Sequence, residues 1–132
     1  MKSVNLREWC MHYIKARDAM ERKLKSIEEK DGNLIAHYKD KDVLFVGQEK
    51  LTTTHASHDG FATLVCLQTQ ENFDTLVDSF SKFSANQKLT IIFVNPQLEE
   101  KWIIKPAVHA AVADKSSLKA GLLTLYQMVP PL

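Results

Sequence analysis

The sequence predicts an α/β protein of the α+β type. A long N-terminal helix, three strands, a helix, one or two further strands and C-terminal helices are expected to build a mixed sheet. Apolar residues in the first quarter of the chain recur every three or four positions, as on one side of a helix, and short apolar runs suited to buried strands follow. The 132 residues include 45% hydrophobic and 25% charged residues, which is usual for one globular domain. Because no repeat or linker divides the chain, residues 1–132 are expected to form a single domain.

The first predicted helix begins at Asn5, which together with Glu8 resembles a capping box, and it ends at the pair Asp31-Gly32. A helix of about 26 residues would be roughly 39 Å long, so its far end would overhang the sheet. Its side chains also recur with the seven-residue spacing of a coiled coil, at Leu6, Tyr13, Met20 and Ile27 and at Cys10, Arg17 and Leu24. The helix is therefore expected either to pack on its own sheet or to mediate self-association as a dimer. Interleaved basic and acidic residues indicate an exposed, ion-paired surface or a face for a partner.

Three strands are predicted between this helix and the next, at residues 33–38, 43–46 and 61–69. The first two flank a polar turn and form a hairpin, whereas the third is a continuous apolar run, as in strands covered on both faces. A helix at 71–84 and a strand at 89–94 then complete a right-handed parallel βαβ unit.

The last part of the chain predicts one short strand and one or two helices. Residues 102–104 form the strand. Pro106 opens a helical turn that extends to Ala113, because a proline at the first helical position loses no hydrogen bond. Ser116 caps the final helix, and Pro130-Pro131 ends it.

The charge and cysteine content argue against several classes of partner and compartment. The formal net charge is +1, from 17 basic and 16 acidic residues, so net charge does not indicate nucleic acid, and an anion site would need a local patch. Cys10 and Cys66 do not form a disulfide framework, which favours a reducing, cytoplasmic setting. No apolar stretch approaches the length of a membrane span, and no signal peptide is visible, so we expect no membrane partner.

The usual catalytic motifs are missing from the sequence. With four glycines there is no glycine-rich phosphate loop and no nucleophile elbow, so neither a catalytic residue nor a cofactor is predicted. Cys66 with His109 as its base would suit covalent catalysis, but nothing in the sequence brings the two together, and a buried structural cysteine is the simpler interpretation. The paired carboxylates lie in turns or at a helix end, where solvated charge is usual: Asp40 and Asp42, Glu28 and Glu29, and Glu99 and Glu100.

Two places remain as candidate sites. In the polar loop at 47–60, His55, His58 and Asp59 are weak candidates for a metal site, the alternative being an ordinary surface loop. Trp102, Lys105 and His109 meet at a strand-to-helix junction, and with Arg17 of the first helix they are candidates for contacting a partner. The alternative for this group is a tryptophan at the edge of the core and a histidine on a helix face.

The order of elements over residues 5–94 resembles the core of the restriction-endonuclease-like superfamily, the PD-(D/E)XK nucleases. In that family an Asp at the second strand and an acidic-x-Lys motif on the third bind a divalent metal. Asp42 stands at the first position, but Cys66-Leu67-Gln68 stands where the motif is expected. The resemblance therefore implies a degenerate, non-catalytic member. The order also resembles the class I chaperones of type III secretion, which are typically acidic, whereas this chain is near neutral.

Together these features leave enzymatic activity open but favour a protein that is not an enzyme. We expect a non-catalytic interaction or scaffold module of nuclease-like fold, which joins a protein or nucleic-acid assembly or self-associates through its first helix. The alternatives are a metal-dependent nuclease-type enzyme and a small secretion-type chaperone.

Overall fold

The computed structural model of the chain describes residues 5–112, 114 and 116–132, which form five helices and six strands. The helices are α1 (Leu6–Glu21), α2 (Gln70–Asp78), α3 (Phe80–Ser84), α4 (Pro106–Val112) and α5 (Leu118–Gln127). The strands are β1 (Leu24–Lys30), β2 (Asn33–Tyr38), β3 (Asp42–Gln48), β4 (Phe61–Leu67), β5 (Leu89–Asn95) and β6 (Glu100–Ile104).

All six strands belong to one sheet, and their order in the sheet is their order in the chain. β1, β2 and β3 form an antiparallel meander, β3, β4 and β5 run parallel, and β6 returns antiparallel to β5. This mixed sheet with helices before and after it confirms the predicted fold class. The apolar run that predicted a central strand is β4, in which every residue of 62–66 is at most 7% exposed.

Helix α1 covers one face of the sheet, which we call the α1 face. Leu6, Cys10 and Ile14 lie four positions apart, so they share one side of the helix, and all three are buried. They pack in one cluster with side chains of the sheet: Leu34, Ala36, Val43, Phe45, Val65, Ile92 and Val94. An ion pair between Arg7 and Glu29 joins the same helix to β1.

The opposite face of the sheet carries the larger buried cluster, which includes residues of α2, α3 and α5. The strands contribute Val46, Ala62, Leu64, Cys66, Leu89, Ile91, Phe93, Trp102 and Ile104, and the helices contribute Phe73, Leu76, Phe80, Phe83, Leu122 and Tyr126. Burying a side chain such as Phe83 contributes about 1.5–3 kcal/mol. Because β4 is covered on both faces, its sequence is continuously apolar rather than alternating.

The first helix is shorter than predicted, because it ends at Glu21. Arg22 adopts the left-handed conformation, with φ 53°, and the Asp18 carboxylate accepts hydrogen bonds from the backbone N–H groups of Lys23 and Leu24. The expected continuation to Asp31 is therefore wrong, and residues 24–30 form β1 instead, so four strands rather than three precede α2.

The pair Asp31-Gly32 closes a hairpin between β1 and β2 rather than ending a helix. Both residues have positive φ, 52° and 81°, as the two-residue turn of a tight hairpin requires. Leu24 and Ile27 therefore belong to a strand, and Met20 is 91% exposed, so the seven-residue pattern does not lie on one continuous helix. The coiled-coil interpretation is wrong for this physical reason.

The later helices agree with the predicted order, with changes at their ends. The segment at 71–84 is two helices, which meet at Ser79. Pro106 does open α4, but Ala113 lies outside the described residues. The last helix begins at Leu118 after Ser117, so Ser116 is not its cap. Of the helices in the described part of the chain, none is long and apolar enough to cross a membrane.

Gln68, directly after β4, joins three parts of the fold through buried hydrogen bonds. Its amide nitrogen donates to the carbonyl oxygens of Tyr126 and Val129, each at 2.8 Å, and its amide oxygen accepts from the indole N–H of Trp102 at 2.7 Å. Its backbone carbonyl also accepts from the N–H of Leu132 at 2.9 Å. The side chain is 0% exposed, so water does not replace these partners at its surface.

Gly47 on β3 allows α1 to begin against the sheet. A Cβ atom at this position would lie 2.8 Å from the Cβ and 3.2 Å from the carbonyl carbon of Leu6. A contact this close forces the helix or the strand to shift, so the position favours glycine for steric reasons.

Replacing Gln68 with alanine is expected to lower the free energy of unfolding by about 3–5 kcal/mol, because the Trp102 N–H and two carbonyls lose their buried partner. Urea unfolding followed by circular dichroism measures this change. The control is Gln97→Ala on the exposed turn after β5, which is expected to change stability by less than about 0.5 kcal/mol. A loss below about 1 kcal/mol for Gln68→Ala would contradict the role of this side chain.

The Gly47→Ala variant is expected to unfold at lower urea concentration, with a loss of about 1–3 kcal/mol, because the added methyl group overlaps Leu6. Gly60→Ala is the matched control, since a Cβ there would meet only the His58 side chain at 3.6 Å, an ordinary contact. Equal free energies of unfolding for the two variants would show that α1 can shift away from the added methyl group without loss of stability.

Candidate functional site

A groove of about 270 Å³ lies on the α1 face, where the C-terminal half of α1 crosses the ends of the strands. The strand directions show that β1, β3, β4 and β5 begin at this end of the sheet and that β2 and β6 finish there. We call the depression the α1 groove. Its floor is formed by side chains of β3, β4 and β5, of which Phe45, Thr63 and Thr90 lie opposite one another: Val43, Phe45, Thr63, Thr90 and Ile92.

Tyr13 and Arg17 of α1 form one wall of the α1 groove, because they lie four positions apart on the helix. The Arg17 guanidinium donates a hydrogen bond of 2.9 Å to the Tyr13 hydroxyl. Behind Tyr13, Trp9 stacks on its ring with a centroid distance of 5.1 Å. From β6, the Lys101 ammonium approaches the same ring to 5.7 Å. The wall is therefore a supported aromatic ring with two cations beside it.

Phe61, the first residue of β4, lines the groove and is 37% exposed. Two ammonium groups lie over its ring, that of Lys41 at 4.9 Å and that of Lys88 at 5.3 Å from the centroid. Lys41 precedes β3 and Lys88 precedes β5 in the sequence. Because β3, β4 and β5 are parallel neighbours, their first residues meet, which places one lysine on each side of Phe61.

Positive charge exceeds negative charge in the lining of the α1 groove. Five basic residues line it, namely Arg17, Lys23, Lys41, Lys88 and Lys105, against three acidic residues, namely Asp18, Glu21 and Asp40. One carboxylate oxygen of Asp18 already accepts the two backbone hydrogen bonds that end α1. Burial raises the pKa of Tyr38, also in the lining, so its phenol stays neutral at physiological pH. The groove is thus a local cationic patch on a nearly neutral protein.

The structure brings together only two of the four residues predicted to contact a partner. Arg17 and Lys105 both line the α1 groove. Trp102 does not, because it is 5% exposed and stacks on Phe93 at 4.4 Å, so its side chain belongs to the core. His109 is half-buried on α4, with its ring 6.3 Å from that of Phe80, which belongs to the opposite face of the sheet. For Trp102, the alternative of a tryptophan at the core edge is the one that the structure favours.

The histidine loop is tied by hydrogen bonds to α2 and to the segment that follows α3. The Asn86 amide donates to the carbonyls of Ala56 and His58, and the Asn72 amide donates to the carbonyl of Glu49. Across residues 5–112, 114 and 116–132, no three side chains of His, Cys, Asp or Glu are arranged to hold a metal ion. His55, His58 and Asp59 therefore gain no support as ligands from the geometry.

The residues that the nuclease-like resemblance places at a metal site lie far apart. Asp42 begins β3, whereas Cys66 is near the end of β4, opposite Gln48. The pairs Val43–Phe61 and Gln48–Cys66 are separated by five residues, about 17 Å along the strands. Burial also raises the pKa of the Cys66 thiol, which keeps it protonated rather than a nucleophile. Gln68, at the third position of the expected motif, is a structural residue.

A cluster that the sequence interpretation missed lies across β1, β2 and β3. His37 contacts Asp42 through Nδ1 at 2.8 Å and Glu28 through Nε2 at 2.9 Å. The hydrogen bond to Glu28, followed by that to Asp42, raises the pKa of His37 above its ordinary value. Asp42 faces His37 directly in the β2–β3 register, but Glu28 joins only because residues 24–30 are a strand.

The main residues of the α1 groove were also missed. Lys41, Phe61 and Lys88 are separated in sequence and gave no motif. Their common feature, a position just before or at the start of a strand, becomes informative only when β3, β4 and β5 are known to be parallel neighbours.

Comparisons of this chain with models of protein families, with curated protein sequences and with solved structures find no match.

His37 is expected to titrate above 6.5 in the folded protein, and Glu28→Gln is expected to lower its pKa more than Asp42→Asn does. The stabilisation from protonated His37 is fully present below the unfolded pKa and is lost as the pH rises through the raised folded pKa. NMR titration of the His37 ring measures the shift, and unfolding at pH 6 and pH 8 measures the loss. Glu29→Gln, whose carboxylate instead pairs with Arg7, is the control. An unchanged His37 titration in both test variants would contradict the contacts.

Proposed function

We propose that this chain is a non-catalytic interaction module that binds an anionic partner along the α1 groove. The observation that carries the proposal is the convergence of five basic side chains from separate parts of the chain around an aromatic and apolar floor. Surface lysines are common, but lysines held over an exposed phenylalanine at the ends of adjacent strands are a specific arrangement. Such a surface attracts negative charge and offers it a place to dock.

A binding role is supported by the kind of chemistry that the groove side chains offer. Guanidinium and ammonium groups hold anions by charge and hydrogen bonds, and tyrosine and phenylalanine offer flat contact surfaces. We propose the nuclease-like fold only as a scaffold, because Asp42 and the Cys66–Gln68 segment lie at opposite ends of their strands. Both cysteines are free and buried, which fits a reducing compartment such as the cytoplasm.

Charge alone would give this module modest affinity. An exposed ion pair contributes about 0.2–1 kcal/mol, so five pairs give at most about 5 kcal/mol, a dissociation constant near the millimolar range. Tighter binding requires contact with the rings of Tyr13 and Phe61 as well. We therefore expect the binding affinity to fall strongly as the salt concentration rises and the aromatic residues to add to it.

The test is charge reversal inside and outside the groove. The double variant Lys88→Glu with Lys105→Glu is expected to weaken binding of a fluorescent polyphosphate chain at least tenfold at low salt. Lys82→Glu with Lys119→Glu is the matched control, since it makes the same change in net charge at exposed lysines of α3 and α5 and is expected to change affinity less than threefold. Fluorescence anisotropy over a series of salt concentrations measures both.

Equal losses in the two double variants would show that binding follows overall charge and would contradict a site in the groove. No binding by the unmodified protein at low salt, to polyphosphate, a poly-glutamate peptide or an oligonucleotide, would contradict the proposal itself.

A further inference from the structure

We infer that the anionic partner is a single-stranded nucleic acid, with Phe61 as the platform on which a base stacks; this inference rests on the proposed function of the α1 groove. Single-strand sites combine a cationic groove for the phosphates with aromatic rings for the bases. The α1 groove has both parts within one depression of the sheet surface.

The exposure of Phe61 is the first observation that points to a flat ligand. Its neighbour Ala62 is 1% exposed, whereas Phe61, at the start of the central strand β4, is 37% exposed. Ile103, 41% exposed, lies in the same lining and extends the apolar surface. An acidic peptide would satisfy the lysines without needing these surfaces. A nucleotide presents a flat ring and a negative charge in each repeating unit, so it fits both features.

The lysines beside Phe61 lie where a base can displace them from the ring and where the flanking phosphates can then pair with them. Lys41 and Lys88 now hold their ammonium groups 4.9 and 5.3 Å from the ring centroid. A cation over an exposed ring is bound more weakly than a stacked base, and a lysine side chain is long and flexible. A base can therefore take the ring face while the ammonium groups turn outward to the flanking phosphates.

The size and floor of the groove favour a single strand over a duplex. A volume of about 270 Å³ lies near the lower end of the range for pockets that hold one small organic group. In a duplex the base faces are stacked inside the helix, so Phe61 could not reach one. On the floor, Thr63 and Thr90 lie opposite each other in the β4–β5 register, and their hydroxyls can donate to or accept from a base edge.

The experiment compares ligands that differ in bases but share negative charge. The probes are a fluorescent eight-residue oligothymidylate, a duplex of the same length, a polyphosphate chain and a poly-glutamate peptide. Phe61→Leu keeps an apolar side chain but removes the aromatic ring. It is expected to weaken oligothymidylate binding about tenfold or more and to change polyphosphate binding less than twofold. Met128→Leu, at an exposed position after α5, is the control for a change of apolar side chain elsewhere.

Phe61→Trp retains a stacking surface and is expected to keep the affinity for the oligonucleotide. Its added indole fluorescence, measured against that of Trp9 and Trp102 in the unmodified protein, is expected to be quenched by oligothymidylate and not by polyphosphate. Circular dichroism and thermal unfolding establish that both Phe61 variants are folded. Because Phe61→Trp reports stacking directly, the inference is testable even where Phe61→Leu disturbs the start of β4.

Three results would overturn the inference. These are equal binding of single strand and duplex, tighter binding of poly-glutamate than of oligothymidylate, and no effect of Phe61→Leu together with no quenching in Phe61→Trp. In each case, loss of polyphosphate binding in the Lys88→Glu/Lys105→Glu variant would still support the proposed anion-binding module, so the two proposals fail separately.

Discussion

The hydrogen bonds of Gln68 are the constraint on which the arrangement of the sheet depends. The side chain follows the central strand β4 and, without access to water, ties β6 through Trp102 and the end of α5 through two carbonyls. Asn95 supports the same region by donating to the carbonyl of Pro130 at 2.8 Å. A buried polar network of this kind is stable only while every member is satisfied, so it permits few alternative packings. The network fixes the carboxyl ends of β4 and β5. Because the two strands are paired in register along their length, the relative position of their amino ends is fixed as well.

This division of roles between the two ends of the sheet explains where the groove lies. In open α/β sheets ligands commonly bind beyond the carboxyl ends of the parallel strands. Here that end is occupied by the side chains of Gln68, Asn72 and Asn95 and by the C-terminal segment. The amino ends of β3, β4 and β5 remain open on the α1 face, since α1 ends at Glu21. Residues just before these strands become neighbours there, which produces a cationic surface without a sequence motif.

The elements with a strong local pattern could be predicted from the sequence, and those set by tertiary contacts could not. β4 and β5 are continuous apolar runs, and both were predicted. The sequence predicts a helix over the residues of β1 because Leu24 and Ile27, three apart, fit a helical spacing, and because Asp-Gly is found at both helix ends and hairpin turns. The predicted metal site, and the predicted partner site apart from Arg17, consist of residues close in sequence. The α1 groove instead joins residues from Tyr13 to Lys105, so neither composition nor spacing reveals it.

The charged edge strand β1 has a consequence for how copies of the protein meet in concentrated solution. Five of its seven residues are exposed, and its pairing with β2 is shifted between Leu24 and Ser26. Charged side chains point from both faces of the strand, among them Glu28, Glu29 and Lys30. A charged edge of this kind disfavours the addition of a second sheet strand by strand, and at the other border β6 is only five residues long. Both borders of the sheet thus disfavour growth into intermolecular β-aggregates, even though Phe61 and Ile103 are exposed on its α1 face.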